Sequence, residues 1–251
     1  MIFYFSATGN TGFAAKRVAE AMGESQVVAI DECVREGRLE FRLQPDEVLG
    51  ICCPTYDFGV PHGVHEFLEK VQFDGVGYSF AITTFGTFSG QSTGMIRELL
   101  GRKGIRLSAA YTIQSVDVWT PIFNLTDKAK NQRLVEGEKE QIDGIIEHLK
   151  KRDEGDFARM KLPAFIGRLV YRNYESKRRT SHLHATDACI GCGLCAKNCP
   201  ALAIEVVDKR PRWMKEQCEM CLGCLHRCPK FAIQYDQKTQ RHGQYQHKQY
   251  E

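Results

Sequence analysis

The sequence lacks any run of about 20 apolar residues, so nothing in it reads as a membrane-spanning helix. Its start, MIFYFSATGN, has no basic stretch and no apolar core ahead of a small-residue cleavage site, which points to the cytoplasm. Net charge is small, +3 over 251 residues, too little to suggest a nucleic-acid partner, and no DNA-binding helix pattern stands out. A G-x-G-x-x-G nucleotide fingerprint is also missing, which argues against direct oxidation of a nicotinamide cofactor. Cysteine, by contrast, is abundant: eleven residues. In a reducing compartment that number points to metal chemistry rather than disulfides.

Eight of these cysteines fall in two runs, CIGCGLCAKNCP from Cys189 to Pro200 and CEMCLGCLHRCP from Cys218 to Pro229. Each reads C-x2-C-x2-C-x3-C-P, a spacing suited to cubane iron–sulfur clusters. Three thiolates in a tight loop grip three corners of a cube. Gly191, Gly193 and Gly223 are expected to let the chain turn sharply. Four thiolates also suit structural zinc, but two copies of the full spacing, each closed by proline, favour clusters. The stretch 185–236 resembles the bacterial two-cluster ferredoxin module. That resemblance implies two 4Fe-4S clusters with crossed ligands: Cys189, Cys192, Cys195 and Cys228 on one, Cys218, Cys221, Cys224 and Cys199 on the other. The apolar segments ALAIEVV and KFAIQY look like the paired strand of each half.

Residues 1–117 alternate buried-strand and helix patterns. IFYFS, VVAI, VLGICC, YSFAITT and LSAAYTIQ read as strands. NTGFAAKRVAEAM, HGVHEFLEKV and GQSTGMIRELLGRKG read as helices. Five strands with intervening helices predict an α/β, doubly wound parallel sheet, whose ligands bind at the carboxyl ends of the strands. There, at the end of the first strand, sits SATGNT. Its hydroxyls, its glycine and the following helix start make a phosphate site without any cation; an ordinary helix cap would need only one such group.

The S-x-T-G-N-T loop resembles the phosphate loop of flavodoxins, over roughly residues 1–150. The resemblance implies FMN held by Ser6, Ala7, Thr8, Gly9, Asn10 and Thr11, with two further loops around the flavin ring. Those positions read Pro54, Thr55, Tyr56, Asp57, Phe58 and Gly59, and Thr84, Phe85, Gly86, Thr87 and Phe88. Tyr56 or Phe58 is the candidate stacking partner on one ring face, Phe85 or Phe88 on the other, and Gly59 and Gly86 the points of close backbone approach. The same aromatics would also serve as ordinary core. The second ring loop lacks the acidic residue and tyrosine of many small flavodoxins. Cys52 and Cys53 read as buried strand residues, and Cys33 as a lone thiol.

The whole chain resembles the flavodoxin–ferredoxin fusion proteins of anaerobic bacteria and archaea. Residues 1–155 are expected to form the flavodoxin-like FMN domain and 185–236 the smaller α+β ferredoxin domain. Between them, 156–184 should be a basic connector helix burying one stripe: Leu162, Phe165, Ile166, Leu169, Val170 and Tyr174. Its basic residues, Arg159 to Arg179, read as a strut between domains, a dock for an acidic redox partner, or least of all a membrane contact. Residues 237–251 read as a loosely held polar tail. The resemblance implies electron transfer between FMN and two clusters, onward to a redox partner protein or a small-molecule acceptor. The alternative is an FMN-dependent reductase with Asp57 or Tyr56 as proton donor.

Overall fold

A computed structural model describes residues 1–248; the last part of the expected tail, 249–251, lies outside them. The first half runs β1 (Ile2–Tyr4), α1 (Asn10–Met22), β2 (Val27–Ala29), α2 (Ile30–Glu36), β3 (Glu40–Arg42), β4 (Val48–Pro54), α3 (His62–Lys70), β5 (Gln72–Asp74), β6 (Tyr78–Phe85), α4 (Ser92–Gly101), β7 (Ala109–Gln114) and α5 (Lys128–Lys150). Then follow β8 (Gly155–Asp156), α6 (Ala164–Arg172), α7 (Tyr174–Lys177), β9 (Leu183–Ala185), α8 (Leu194–Lys197), β10 (Ile204–Val207), β11 (Arg210–Trp213), α9 (Gly223–His226), β12 (Ile233–Tyr235) and α10 (Thr239–His242).

The main sheet has the order β2-β1-β4-β6-β7-β8, and every pair in it is parallel. Its first five strands follow the flavodoxin-like 2-1-3-4-5 winding. The sixth, β8, is only two residues long and extends the five-stranded sheet expected from sequence. Alternate strand residues feed two cores. Phe3, Leu49, Ile51 and Ala81 face α2, α3 and α4, joining Val64, Phe67, Ile96 and Leu100. Ile2, Cys52, Ile82 and Ile113 face α1 and α5, joining Val18, Ile142, Ile146 and Leu149. A parallel sheet covered on both faces needs such unbroken apolar strands. Cys33, Cys52 and Cys53 are fully buried packing residues.

The cysteine-rich part forms two small antiparallel pairs, β10 with β11 and β12 with β9. ALAIEVV supplies β10 and KFAIQY supplies β12, one strand to each pair. α6 departs from expectation. Of the expected stripe Tyr174 is buried, whereas Phe165 and Leu169 are 74% and 64% exposed. α6 docks through Gly167 and Tyr171, and α7 through Tyr174. A Cβ on Gly167 would run into Gln91, so glycine allows the approach. Tyr171 and Tyr174 donate hydrogen bonds to the carbonyls of Val60 (2.8 Å) and Glu219 (3.0 Å). Close approach and satisfied hydroxyls outweigh the apolar stripe. The basic face is partly consumed: Lys177 pairs with Asp57 at 2.8 Å, and buried Arg178 pairs with Glu175 at 2.5 Å.

Inside α5, Glu138 is fully buried, and neither of its oxygens has a hydrogen-bond partner among the described residues. Burial pushes its pKa up to about 8, and the neighbouring Ser115 hydroxyl offsets only part of this. The native state then binds this proton more tightly than the unfolded chain does. Its contribution to stability falls as pH rises from the ordinary carboxyl range to about 8, by at most about 1.4 kcal/mol per pH unit. Glu138→Gln should therefore gain on the parent protein progressively between pH 5 and 8. Urea denaturation of both at several pH values checks this; a difference that does not change with pH would show the carboxyl to be ordinary.

Candidate functional site

The phosphate loop links β1 to α1. Gly9 has φ 102°, a left-handed value that a Cβ disfavours, and it directs the first amides of α1 outward. The Gly9 amide donates to Ser6 Oγ at 3.2 Å. Thr8, Asn10 and Thr11 are buried, and Thr11 Oγ1 lies 2.7 Å from Thr84 Oγ1, joining this loop to the end of β6. A helix start with free amides and hydroxyls is a ready anion site.

After β4, Tyr56 and Gly59 exchange backbone hydrogen bonds, both 2.9 Å. The two residues between them, Asp57 (φ 46°) and Phe58 (φ 66°), are left-handed without being glycine. Such strain persists only where the surroundings enforce it, and here Lys177 holds Asp57. After β6, Gly86 faces Asp117, whose side chain a Cβ would strike. Thr87 Oγ1 donates to Asp117 Oδ2 at 3.4 Å and the Trp119 amide to Oδ1 at 3.2 Å. Burial nonetheless raises the Asp117 pKa.

These stretches enclose a cavity of ≈ 560 Å³. All the residues expected from 6–11, 54–59 and 84–88 line it except Gly9 and Gly59. Gly9 acts by shaping the helix entry. Gly59 is covered by Tyr171 and Met95, which corrects its expected role beside a flavin edge. Tyr56 packs on Phe5 and Tyr174, and Phe58 lies 6.3 Å from Phe88. Phe85 is buried and Phe88 41% exposed. The expectation from sequence omitted much of the remaining wall: Ser115 to Trp119, Ile122, Phe123, Tyr174, Lys177, Met220 and Cys221. Only the loop after β7 carried a readable signal, since it leaves the same carboxyl edge as the other loops.

The eight cysteines fall into two groups. Cys189, Cys192, Cys195 and Cys228 line one small pocket. Cys218, Cys221 and Cys224 lie close to one another and to Cys199. Amides donate to sulfur at 3.3 Å from Ala203 to Cys199, Met220 to Cys218 and Ala232 to Cys228. Burial pushes Cys218 up to about 11, so loading a metal centre there must release a proton. The turns of the first run use Gly191 (φ 68°) and Gly193 (φ 76°). The matching turns of the second use Met220 (φ 50°) and Leu222 (φ 54°). Gly223 is therefore not a turn glycine: it lies against the phosphate loop, where a Cβ would make ordinary contact with Ala7 at 3.6 Å.

Further bonds fix this junction. Gly63 donates to Glu219 Oε2 at 3.0 Å, and Arg227 to the Ser6 carbonyl at 3.4 Å. His226 Nε2 lies 2.9 Å from the Val118 carbonyl, and its Nδ1 3.3 Å from the Tyr245 amide. An amide can only donate and a carbonyl only accept, so the proton sits on Nε2. Among the described residues, no helix is long and apolar enough to cross a membrane.

Residues 182–229 match a family model described as a 4Fe-4S dicluster domain. Over 46 residues the chain is 44% identical to a subunit of the ion-translocating oxidoreductase complex of Methanosarcina acetivorans, covering 18% of this chain and 17% of that protein. It is 37% identical to an uncharacterized polyferredoxin-like protein of Methanocaldococcus jannaschii, across 19% of this chain and 36% of the relative. The chain thus spans a minor part of either relative. Two solved structures overlap it more broadly and loosely. Rubredoxin oxygen:oxidoreductase from Desulfovibrio gigas has TM-score 0.36 and 21% identity, covering 60% of this chain and 36% of that one. A short-chain flavodoxin associated with a bacterial microcompartment has TM-score 0.34 and 15% identity, covering 56% and 96%. The strand order defines the first part of the fold, and the matched model defines the second. The chain thus joins a doubly wound parallel sheet to a stretch that matches the 4Fe-4S dicluster model.

The junction itself is testable. Tyr174→Phe leaves the buried Glu219 carbonyl without its donor, which should cost about 1–3 kcal/mol. A urea unfolding curve measures this, and an unchanged midpoint would mean that the contact adds nothing to stability.

Proposed function

We propose that the protein passes electrons between two 4Fe-4S clusters and FMN, and on to a redox partner in the cytoplasm. The observation that carries this is a single cavity wall: Cys221, a ligand in the crossed assignment, lines the same space as the phosphate loop and both ring loops. The cavity suits FMN in size, ≈ 560 Å³ against the several hundred typical of cofactor sites. Hydroxyls and free amides stand at one end and aromatic walls near the other. The thiol groups suit cubanes in number and spacing. In domain terms, 1–155 holds the flavin, 156–184 connects, and 185–236 holds the clusters.

When bound, FMN accepts electrons singly or in pairs and the clusters move them singly. The chain's residues set the route. Cys189, Cys192, Cys195 and Cys228 hold the outer cluster. Cys218, Cys221, Cys224 and Cys199 hold the inner one, beside the cavity. Ser6, Thr8 and Thr11 with the α1 amides anchor the phosphate. Tyr56 and Met220 flank Cys221 in the cavity wall.

One observation favours the reductase reading as a second possibility. Asp117 lies in the cavity wall with its pKa raised by burial, so it holds a proton more readily than an exposed acid. Asp57 is engaged by Lys177 at 2.8 Å. Stepwise anaerobic reduction, followed in the visible spectrum, tests both readings. Cluster and flavin absorbance should both be present. Flavin bleaching in two separated stages supports a one-electron carrier, and a single two-electron stage supports the reductase. Absence of either chromophore would overturn the proposal.

A further inference from the structure

The segment expected to be a loose tail returns to the centre of the molecule. After α10, residues 244–247 run between the second cysteine loop and the phosphate loop, bonding to both. On the cluster side, Gln244 Nε2 donates to the carbonyls of Leu225 (2.6 Å) and Cys228 (2.8 Å), and Gln246 Nε2 to that of His226 (2.8 Å). On the phosphate side, Tyr245 Oη donates to Asn10 Oδ1 at 2.8 Å, and the His247 amide to the Thr8 carbonyl at 2.9 Å. The His247 ring stacks on Phe13, centroids 4.3 Å apart. It is 2% exposed, and neither ring nitrogen has a hydrogen-bond partner among the described residues. Burying an unpartnered imidazole is costly, so packing against the first turn of α1 holds this ring in place.

The alternation is the informative feature. Gln244 and Gln246 side chains, with the Tyr245 amide, hold the turn carrying Cys224 and Cys228, while the Tyr245 hydroxyl and the His247 amide hold the loop carrying Thr8 and Asn10. Four successive residues therefore tie one cofactor's ligands to the other's. We propose that Tyr245 and His247 are positioning residues of the phosphate site, through which cluster occupancy and FMN affinity are coupled. This rests on the reading that FMN occupies the cavity. A loaded cluster fixes the Leu225–Cys228 carbonyls, which fixes the strap, which holds Thr8 and Asn10 where the phosphate needs them. Linkage makes the effect mutual: bound FMN must stabilise the clusters by the same factor.

The test uses the full chain, cluster-loaded and freed of flavin, as wild type, Tyr245→Phe, and Tyr245→Phe with His247→Ala. Quenching of FMN fluorescence gives affinity. Iron release to a coloured chelator, with and without saturating FMN, gives cluster stability. Wild type should bind FMN, and FMN should slow its iron release. The double variant should bind FMN at least about fivefold more weakly, and saturating FMN should no longer protect its clusters. Tyr245→Phe removes a single oxygen, keeps the fold, and should show the same change in smaller degree. If the variants keep wild-type affinity and protection, the strap does not couple the sites. A variant that loses iron faster yet keeps the wild-type protection ratio also overturns the proposal, since loosened structure alone would do that. If wild type itself fails to bind FMN, the flavin reading falls, and this inference with it.

Discussion

The arrangement depends on how closely the second cysteine loop approaches the phosphate loop. Gly223 lies against Ala7, where a Cβ would sit in ordinary van der Waals contact at 3.6 Å. Nearby, Cys221 reaches the cavity wall. The second run takes its sharp turns at Met220 and Leu222. Left-handed backbone at non-glycine residues costs about 1–2 kcal/mol each, offset in part by burying both side chains. Around this contact lie the bonds from Arg227 to Ser6, His226 to Val118 and Tyr174 to Glu219. They place the donors and acceptors of one lobe against the loops of the other.

Several features were readable because their information is local. The loop S-A-T-G-N-T needs only its neighbouring strand and helix to become an anion site. The repeated cysteine spacing marks the stretch that matches the 4Fe-4S dicluster model. The alternation of buried strands with helices gave the doubly wound sheet. Other features depend on which distant segment arrives where. Tyr174, Lys177, Met220 and Cys221 belong to the cavity only because segments distant in sequence converge on it. Gly223 reads as a turn glycine, yet the left-handed turns of that run fall at Met220 and Leu222. The connector's apolar stripe suggested a buried face; of it Tyr174 is buried, while Gly167 and Tyr171 make the closer fit that Phe165 and Leu169 do not.

The tail shows the same limit from the other side. Its composition is polar, and polarity alone suggests looseness. Yet glutamine amides, a tyrosine hydroxyl and a backbone amide are what a strap needs to satisfy exposed carbonyls along a seam between two lobes. Composition reports whether a segment can bury apolar surface. It does not report whether unfilled acceptors await it elsewhere.

The central claim is that clusters and flavin form one electron path within one chain. The most direct test is transient kinetics: deliver single electrons to the clusters with a pulse-generated reductant, then follow the flavin absorbance as it responds. The account predicts a first-order transfer whose rate does not change as the protein is diluted. A rate that falls in proportion to protein concentration would mean that electrons pass between molecules, and would contradict it.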